Sequence, residues 1–315
     1  MSVPRAVGVR LPYERVPAPV RAWVDRALGS PVQAATTQMG GMSPGCAARL
    51  VAADGTRAFC KAVGPELNPD TCAIFRHELA VLDRLPQVAY RPRVLAAYDD
   101  GAWVGLLLED VDGVHPDLDD AATLTAVAAT VSTQAAELTP APAGLDVPAL
   151  TQVARRWAGS WELLCTDPAP LPTWARRDVR RLAERVADVS DLTGGDTLCH
   201  VDLRNDNLLV RPDGAVVVLD WGMARLGPAW FDLFVLALEH AEQPQVDRWL
   251  TDQPFTRNVP PATMTTLLLA LGGHLLRQST LPAAPGLPTM PAFRHSEGTR
   301  FLTGARRRLD QEGHA

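Results

Sequence analysis

The sequence predicts an α+β fold of two segregated lobes, and three observations carry that expectation. Five short strand-like runs lie within the first 110 residues, with one helix between the third and the fourth. Beyond about residue 113 helical periodicity takes over. That helical half is interrupted by one compact strand–turn–strand unit, not by a regular strand–helix alternation, so a doubly wound parallel sheet is excluded. The boundary falls at about 110–113, giving one lobe of residues 1–110 and a second of 111–315. Two units suit a chain of 315 residues, at roughly 100–200 residues per domain.

Residues 18–28 spell a short helix, with Pro19 near its first turn and Gly29 past its end. A strand-like run over 31–38 leads into the loop Gly40-Gly-Met-Ser-Pro-Gly45. Runs 47–53 and 57–63 pair about Asp54-Gly55, a two-residue hairpin signal. Asp70 or Thr71 caps a helix that reaches about Leu85. Runs 93–98 and 103–108 make a further pair of strands about Asp99-Asp-Gly101. In the second half, 121–137, 148–164 and 173–189 are rich in Ala and Arg at helical spacing, with a Pro/Ala linker over 139–144. The compact unit, 207–219, turns on Pro212-Asp-Gly214. Helices over 229–242, about 261–277 and about 297–311 complete the chain.

A net charge of −6 and a pI near 5.6 argue against a nucleic-acid partner, which calls for a basic face. The dense basic run, Arg306 to Arg308 with Arg300 before it, reads as a solvated helix face. Five cysteines, an odd number without a C-x-x-C pair, fit reduced thiols in the cytoplasm. No apolar secretion core stands at the N-terminus, and the run Leu267-Leu-Leu-Ala-Leu-Gly-Gly is too short to cross a bilayer. The expectation is a cytoplasmic chain with no membrane partner.

Of the 30 basic residues, 29 are arginine and one, Lys61, is lysine. Alternation along 57–63 puts Phe59, Lys61 and Val63 on one face, where a lysine among apolar neighbours requires a partner. On the following helix, Ile74, Phe75, Leu82 and Leu85 share a stripe with Glu78 at its centre. Lys61 and Glu78 thus read as an internal ion pair, the alternative being two side chains that snorkel outward separately. The loop that holds Gly41 and Ser43 either turns its backbone N–H groups onto phosphates or is a plain hairpin turn.

The densest chemical signal is Cys199-His-Val-Asp-Leu-Arg-Asn-Asp-Asn-Leu-Leu209, followed by Val216-Val-Val-Leu-Asp-Trp-Gly222. The hairpin brings Asn207 opposite Asp220. These are hard oxygen donors, too few for a protein-only cage, which is what Mg²⁺ takes when phosphates supply the other ligands. Asp202 is left to accept or orient a hydroxyl proton.

His200-x-Asp202-Leu-x-x-x-Asn207 followed by Asp220-Trp-Gly resembles the catalytic loop and metal motif of the aminoglycoside phosphotransferase family. The resemblance spans residues 40 to 232 and keeps the family's order: glycine-rich loop, strand lysine, helix glutamate, linker, catalytic loop, metal aspartate. It implies a protein-kinase-like fold, with an antiparallel sheet and helix in the N-lobe and a mainly helical C-lobe holding a small catalytic hairpin. It implies ATP, or GTP in its place, as phosphate donor with Mg²⁺. Lys61, held by Glu78, would bind the α/β-phosphates. Asp202 would be the catalytic base or the group that orients the hydroxyl, Arg204 would reach the transferred phosphate, and Asn207 and Asp220 would bind the metal. Backbone groups of Glu109 and Val111 would meet the adenine. His200 and Asp232 would be structural. The sequence departs from the family pattern at Val201, where glycine is frequent, and at Gly222, where an acidic residue is frequent.

Asp232 follows Asp220 by twelve positions, too short for the activation segment of a protein kinase, and no Ala-Pro-Glu anchor follows. The expected acceptor is therefore a small molecule with a hydroxyl, an antibiotic in the favoured reading. A metabolic kinase of choline or an amino sugar is the alternative, and a non-catalytic nucleotide-binding protein a further one. Glu109, Asp110, Asp112, Asp117, Asp119, Asp120, Glu239 and Glu242 could bind a cationic antibiotic or be solvated surface charge. Trp157, Trp161, Trp221 and Trp230 could wall a pocket, with core packing the favoured role.

Overall fold

The computed structural model describes residues 7–313. Its N-terminal lobe is a five-stranded antiparallel sheet of order β1-β2-β3-β5-β4, made of Val32–Thr37, Cys46–Ala52, Arg57–Val63, Val94–Asp99 and Val104–Leu108, with β4 following β3 in sequence. Helix α1, Ala18–Leu28, covers one face and α2, Pro69–Arg84, the other. Asn68, not the expected Asp70 or Thr71, caps α2: its side chain accepts from the Thr71 N–H, and Pro69 opens the first turn.

Alternation along β3 sorts its side chains as the sequence predicts. Ala58, Cys60 and Ala62 pack with Val20, Val24 and Leu107 under α1. Val63 and Phe59 belong to the α2 side, where Phe75, Leu82 and Leu106 lie. Lys61 therefore points toward α2, and Glu78 is fully buried there. Burial of these apolar faces, at about 25 cal/mol per Å², is the main force holding sheet to helices.

The C-terminal lobe contains α3 (Ala121–Glu137), α4 (Leu150–Thr166), α5 (Thr173–Arg177), α6 (Val179–Val186), α7 (Phe231–Ala237), α8 (Gln245–Asp252), α9 (Pro261–Ser279) and α10 (Met290–Glu312). Two small antiparallel pairs lie among them: β6 (Thr197–Cys199) with β9 (Arg225–Gly227), and β7 (Leu208–Val210) with β8 (Val216–Val218). The second pair is the expected catalytic hairpin.

Several elements differ from expectation. The helix expected over 173–189 breaks at Asp178 into α5 and α6 and ends in a 3-10 turn over Val189–Thr193. The helix expected over 229–242 stops at Ala237 and tightens into a 3-10 turn, and α8 follows unforeseen. Helix α10 starts at Met290, well before 297, because Pro291 sits in its first turn and Gly298 lies inside it. That glycine is a packing residue: a Cβ there would come 2.8 Å from the Gly272 carbonyl oxygen of α9. Strands β6 and β9, three residues each, are too short to show a period.

The five cysteines are free thiols. No helix among the described residues is long and apolar enough to cross a membrane.

Candidate functional site

Lys61 on β3 meets Glu78 on α2 and Asp220 just past β8. Its Nζ stands 2.5 Å from Glu78 Oε2 and 2.8 Å from Asp220 Oδ1, with the Phe75 ring 4.9 Å away. Burial works against the ammonium, but the two carboxylates outweigh it, so the Lys61 pKa is pushed up to about 12 and the cation persists. Burial also raises the Asp220 carboxyl; Lys61 overrides this and holds it below the ordinary range, hence ionised. The ion pair expected between Lys61 and Glu78 is present, and Asp220 is its third member.

The loop expected to be catalytic is fixed from below by Asp232 on α7. Asp232 Oδ2 accepts the His200 N–H at 2.7 Å and the Gln134 amide at 3.2 Å, and Oδ1 accepts the Val201 N–H at 2.9 Å. His200 is buried, which lowers its pKa and keeps the ring neutral. Its Nε2 lies 2.8 Å from the Leu219 carbonyl, while the Asp202 N–H points to Nδ1 at 3.3 Å. That set of partners requires the tautomer with the proton on Nε2. Val201 has φ +72°, the left-handed region a β-branched residue rarely adopts. The glycine that the family pattern favours at this position is thereby explained.

Asp202 and Asn207 are joined directly. The Asn207 Nδ2 donates to the Asp202 carbonyl at 2.8 Å and to its Oδ2 at 2.9 Å. Arg204 lies beside them, its Nε 3.3 Å from Asp202 Oδ1 and its Nη2 3.2 Å from Asp206. Burial drives the Asp202 pKa upward against the pull of Arg204, and Asp220 adds to the rise, to about 6. A carboxylate of that basicity suits proton acceptance near neutral pH.

The donor set fits a hard cation of low protein coordination. Asn207 spends its amide nitrogen on Asp202, which turns Oδ1 away as a potential ligand, and Asp220 is ionised. Among the described residues no group of three His, Cys, Asp or Glu side chains could cage an ion, so a metal here needs ligands from a substrate.

Other sequence-predicted residues are also placed. In the glycine-rich loop, Gly41 has φ +87° and its carbonyl accepts the Gly8 N–H at 3.2 Å, while the Ser43 carbonyl accepts from Arg10. The Glu109 N–H bonds the Arg93 carbonyl at 2.9 Å, and its carboxylate is held by Arg211 at 2.7 Å and Arg93 at 3.4 Å. Val111 packs with Leu209, Val217 and Leu219 in a small apolar cluster of its own. Of the acidic residues, Asp110 is paired with Arg49 and Arg57, Asp120 caps α3, and Glu239 lies 3.4 Å from the Asn205 N–H. Trp157, Trp161 and Trp221 are buried in the core. A cavity of about 180 Å³ lined by Leu118, Asp119, His240 and Trp249 touches none of the residues named above as catalytic or phosphate-binding.

Sequence reasoning missed Gln134 and Arg10. Gln134 follows Val127 and Val131 on the buried face of α3, and a polar side chain in that stripe is the signal that could have found it. Arg10 gives no comparable signal beyond its place between Val9 and Leu11.

A sheet-and-helix lobe supplying a buried Lys–Glu pair, facing a helical lobe with an Asp–Asn loop and a second aspartate, defines a phosphotransferase of kinase-like architecture. The model of the phosphotransferase enzyme family matches residues 47–260, and the chain belongs to that family; it is a phosphotransferase with an alcohol group as acceptor. Among solved structures, the choline kinase LicA from Streptococcus pneumoniae is similar at 17% identity, over 91% of this chain and 98% of that one, with a TM-score of 0.61. An aminoglycoside phosphotransferase from Alicyclobacillus acidocaldarius matches at 17% identity over 90% and 93%, with a TM-score of 0.53. A spectinomycin phosphotransferase bound to AMP matches at 12% identity over 83% and 88%, with a TM-score of 0.52. No curated protein sequence matches the chain.

Proposed function

We propose that the chain moves the γ-phosphate of ATP, or of GTP, to a hydroxyl of a small molecule, with Mg²⁺ and with an antibiotic as the favoured acceptor. The observation that carries this reading is the joining of Lys61, Glu78 and Asp220 across the cleft beside the bonded pair Asp202 and Asn207. In this reading residues 1–110 form the nucleotide lobe and 111–315 the catalytic and acceptor lobe.

Lys61 binds the α/β-phosphates and Glu78 holds it in place. Gly41 and Ser43 cover the phosphates, and backbone groups of Glu109 and Val111 receive the base above the apolar cluster of Leu209 and Val217. Asn207 and Asp220 hold the Mg²⁺, which when bound neutralises charge on the phosphates. Asp202 accepts the proton of the acceptor hydroxyl, and Arg204 balances charge on the group in transfer. Asp202 cannot do this while fully protonated, and its pKa of about 6 leaves it ionised at pH 7.

A small acceptor is supported by the twelve-position interval from Asp220 to Asp232, which leaves no platform for a peptide. A choline kinase and two antibiotic phosphotransferases stand among the similar structures, so the acceptor classes to try are amino alcohols, amino sugars and antibiotics. Glu239, beside the catalytic loop, is placed to attract a cationic acceptor.

The deciding experiment is a turnover screen of ATP and GTP against those three classes, following nucleoside diphosphate release with and without Mg²⁺. Asp202→Ala serves as the inactive control, with an expected loss of about a thousandfold in kcat and near-normal nucleotide affinity. Turnover of choline or an amino sugar alone would move the acceptor to metabolism. Nucleotide binding with no transfer to any acceptor, or an Asp202→Ala variant of wild-type rate, would overturn the reading.

A further inference from the structure

The chain upstream of the sheet reaches the glycine-rich loop. Residues 7–11 run beside it, with the Gly45 N–H donating to the Val9 carbonyl and the Leu11 N–H to the Gly45 carbonyl, each at 3.0 Å. The other side of this segment is pinned to the α9–α10 connection, through the Val9 N–H to the Gly286 carbonyl at 2.8 Å and the Val7 N–H to Thr289 Oγ1 at 2.9 Å. Arg10 is thereby fixed at its backbone, and its two Nη groups donate to the carbonyls of Ser43 and Gly40. A Cβ built on Gly41 would stand 2.7 Å from Nη2, so the guanidinium fills the space against that glycine. Burial lowers the Arg10 pKa, and Asp220 is the foremost charge opposing that shift, which places the cation within electrostatic reach of the aspartate.

Arg10 differs from the other cations of the cleft. Lys61 and Arg204 are each matched to two carboxylates. Arg10 makes no ion pair among the described residues, and its Nε–H, like that of Arg204, is buried without a hydrogen-bond acceptor. Carbonyl groups are neutral, so they anchor a guanidinium without cancelling its charge. With two of five N–H groups used, the fork keeps donors to spare. The placement also answers a problem of the loop. The Gly40 and Ser43 carbonyls carry partial negative charge, and Arg10 covers both.

We propose that Arg10 is a phosphate-binding residue of the nucleotide site, contacting the anionic tail of a nucleoside di- or triphosphate from beneath the glycine-rich loop. The inference rests on the reading of the cleft as a nucleotide site. It adds a cation from outside the residues that the family model matches, 47–260. A phosphate tail gives Arg10 an anionic partner at contact distance, where Asp220 acts on it only through space, and the pinning of residues 7–9 holds the guanidinium ready before the nucleotide arrives.

The test is calorimetric titration of wild type, Arg10→Gln and Arg10→Lys with adenosine, ADP and ATP, with Mg²⁺ present. Glutamine can still donate to a loop carbonyl but carries no charge, and melting curves establish that each variant is folded. The expected result is an unchanged adenosine affinity in Arg10→Gln with ADP and ATP weakened by about tenfold or more, the fold-change of a lost charge-assisted hydrogen bond. Arg10→Lys should recover part of that loss. Equal weakening of all three ligands would mean that Arg10 only shapes the loop, and tighter ADP or ATP binding would mean that it blocks the site; either result overturns the proposal. Wild type that binds none of the three would instead remove the nucleotide-site reading, and this inference with it.

Discussion

Glu78 and Asp232 are buried carboxylates, one in each lobe, and their partners differ in kind, Glu78 keeping one oxygen without a hydrogen-bond partner. Glu78 faces a charge, the Lys61 ammonium at 2.5 Å. Asp232 faces neutral N–H groups only, from His200, Val201 and Gln134. The first arrangement is exchangeable, because Lys61 is shared with Asp220 and in the proposed reaction would give up part of that contact to a phosphate. The second has nothing to exchange, since each of its donors would be left buried and unpaired. One carboxylate aims a mobile cation and the other immobilises a loop. Charge shape should therefore govern the first region, and acceptor count the second.

The sharpest challenge to this contrast is Lys61→Arg. Charge is conserved, yet Lys61 is only 7% exposed and its compact ammonium fits between two carboxylates and the Phe75 ring. A planar guanidinium cannot occupy that space without moving α2. Phosphoryl transfer should fall by about a hundredfold, and the overpacking should lower the melting temperature as well. Near-normal kcat/KM in a steady-state assay would show that charge alone suffices.

Asp232→Asn probes the other side and should act chiefly on stability. It keeps the shape but replaces one acceptor oxygen by a donor that faces N–H groups. Loss of about 2–4 kcal/mol is expected, read from urea unfolding, with a catalytic loop that no longer holds Asp202 in place. Unchanged stability would mean that the Asp232 bonds do not brace the loop.

The two regions were also legible to different degrees. Lys61 and Glu78 were readable because a strand of period 2 and a helix of period 3.6 each put one charge in an apolar stripe. Asp202, Asn207 and Asp220 were readable from spacing about a short hairpin, and the resemblance ordered them. Asp220's contact with Lys61 was not readable, since 159 residues separate the two and no local pattern records a meeting of lobes. The same holds for Arg10, whose partners lie 30 and 33 residues on. Helix ends failed where packing overrides local signals: Gly298, beside the expected start at about 297, lies inside α10 and serves close packing there.

The pH profile separates the regions by titration. Burial of Asp202 raises its pKa to about 6, so the acid limb of kcat/KM for the nucleotide should bend near pH 6 and fall about tenfold per unit below it. The sign for stability is opposite. Between about 3.9, the value in an unfolded chain, and about 6 the folded state holds the extra proton, so Asp202 costs stability as pH rises through that window. Asp202→Asn should remove that slope from unfolding measured at pH 4, 5 and 6. A limb near pH 4 instead would show that Asp202 is solvated in the working enzyme.

The smallest effect is expected at Val201, where the two demands on the catalytic loop meet. Its N–H must reach Asp232 Oδ1, and the φ of +72° that allows this costs a β-branched residue roughly 1–2 kcal/mol. Val201→Gly removes that strain. It also frees the unfolded chain by about 0.5–1 kcal/mol and gives up the packing of a partly buried side chain, so the terms nearly cancel. Stability within about 1 kcal/mol of wild type and normal kcat are expected, because the loop conformation is imposed by Asp232 and not by the residue at 201. A tenfold fall in kcat for Val201→Gly would reverse that order of cause: the valine side chain, and not the carboxylate beneath it, would then be what holds Asp202 toward the acceptor.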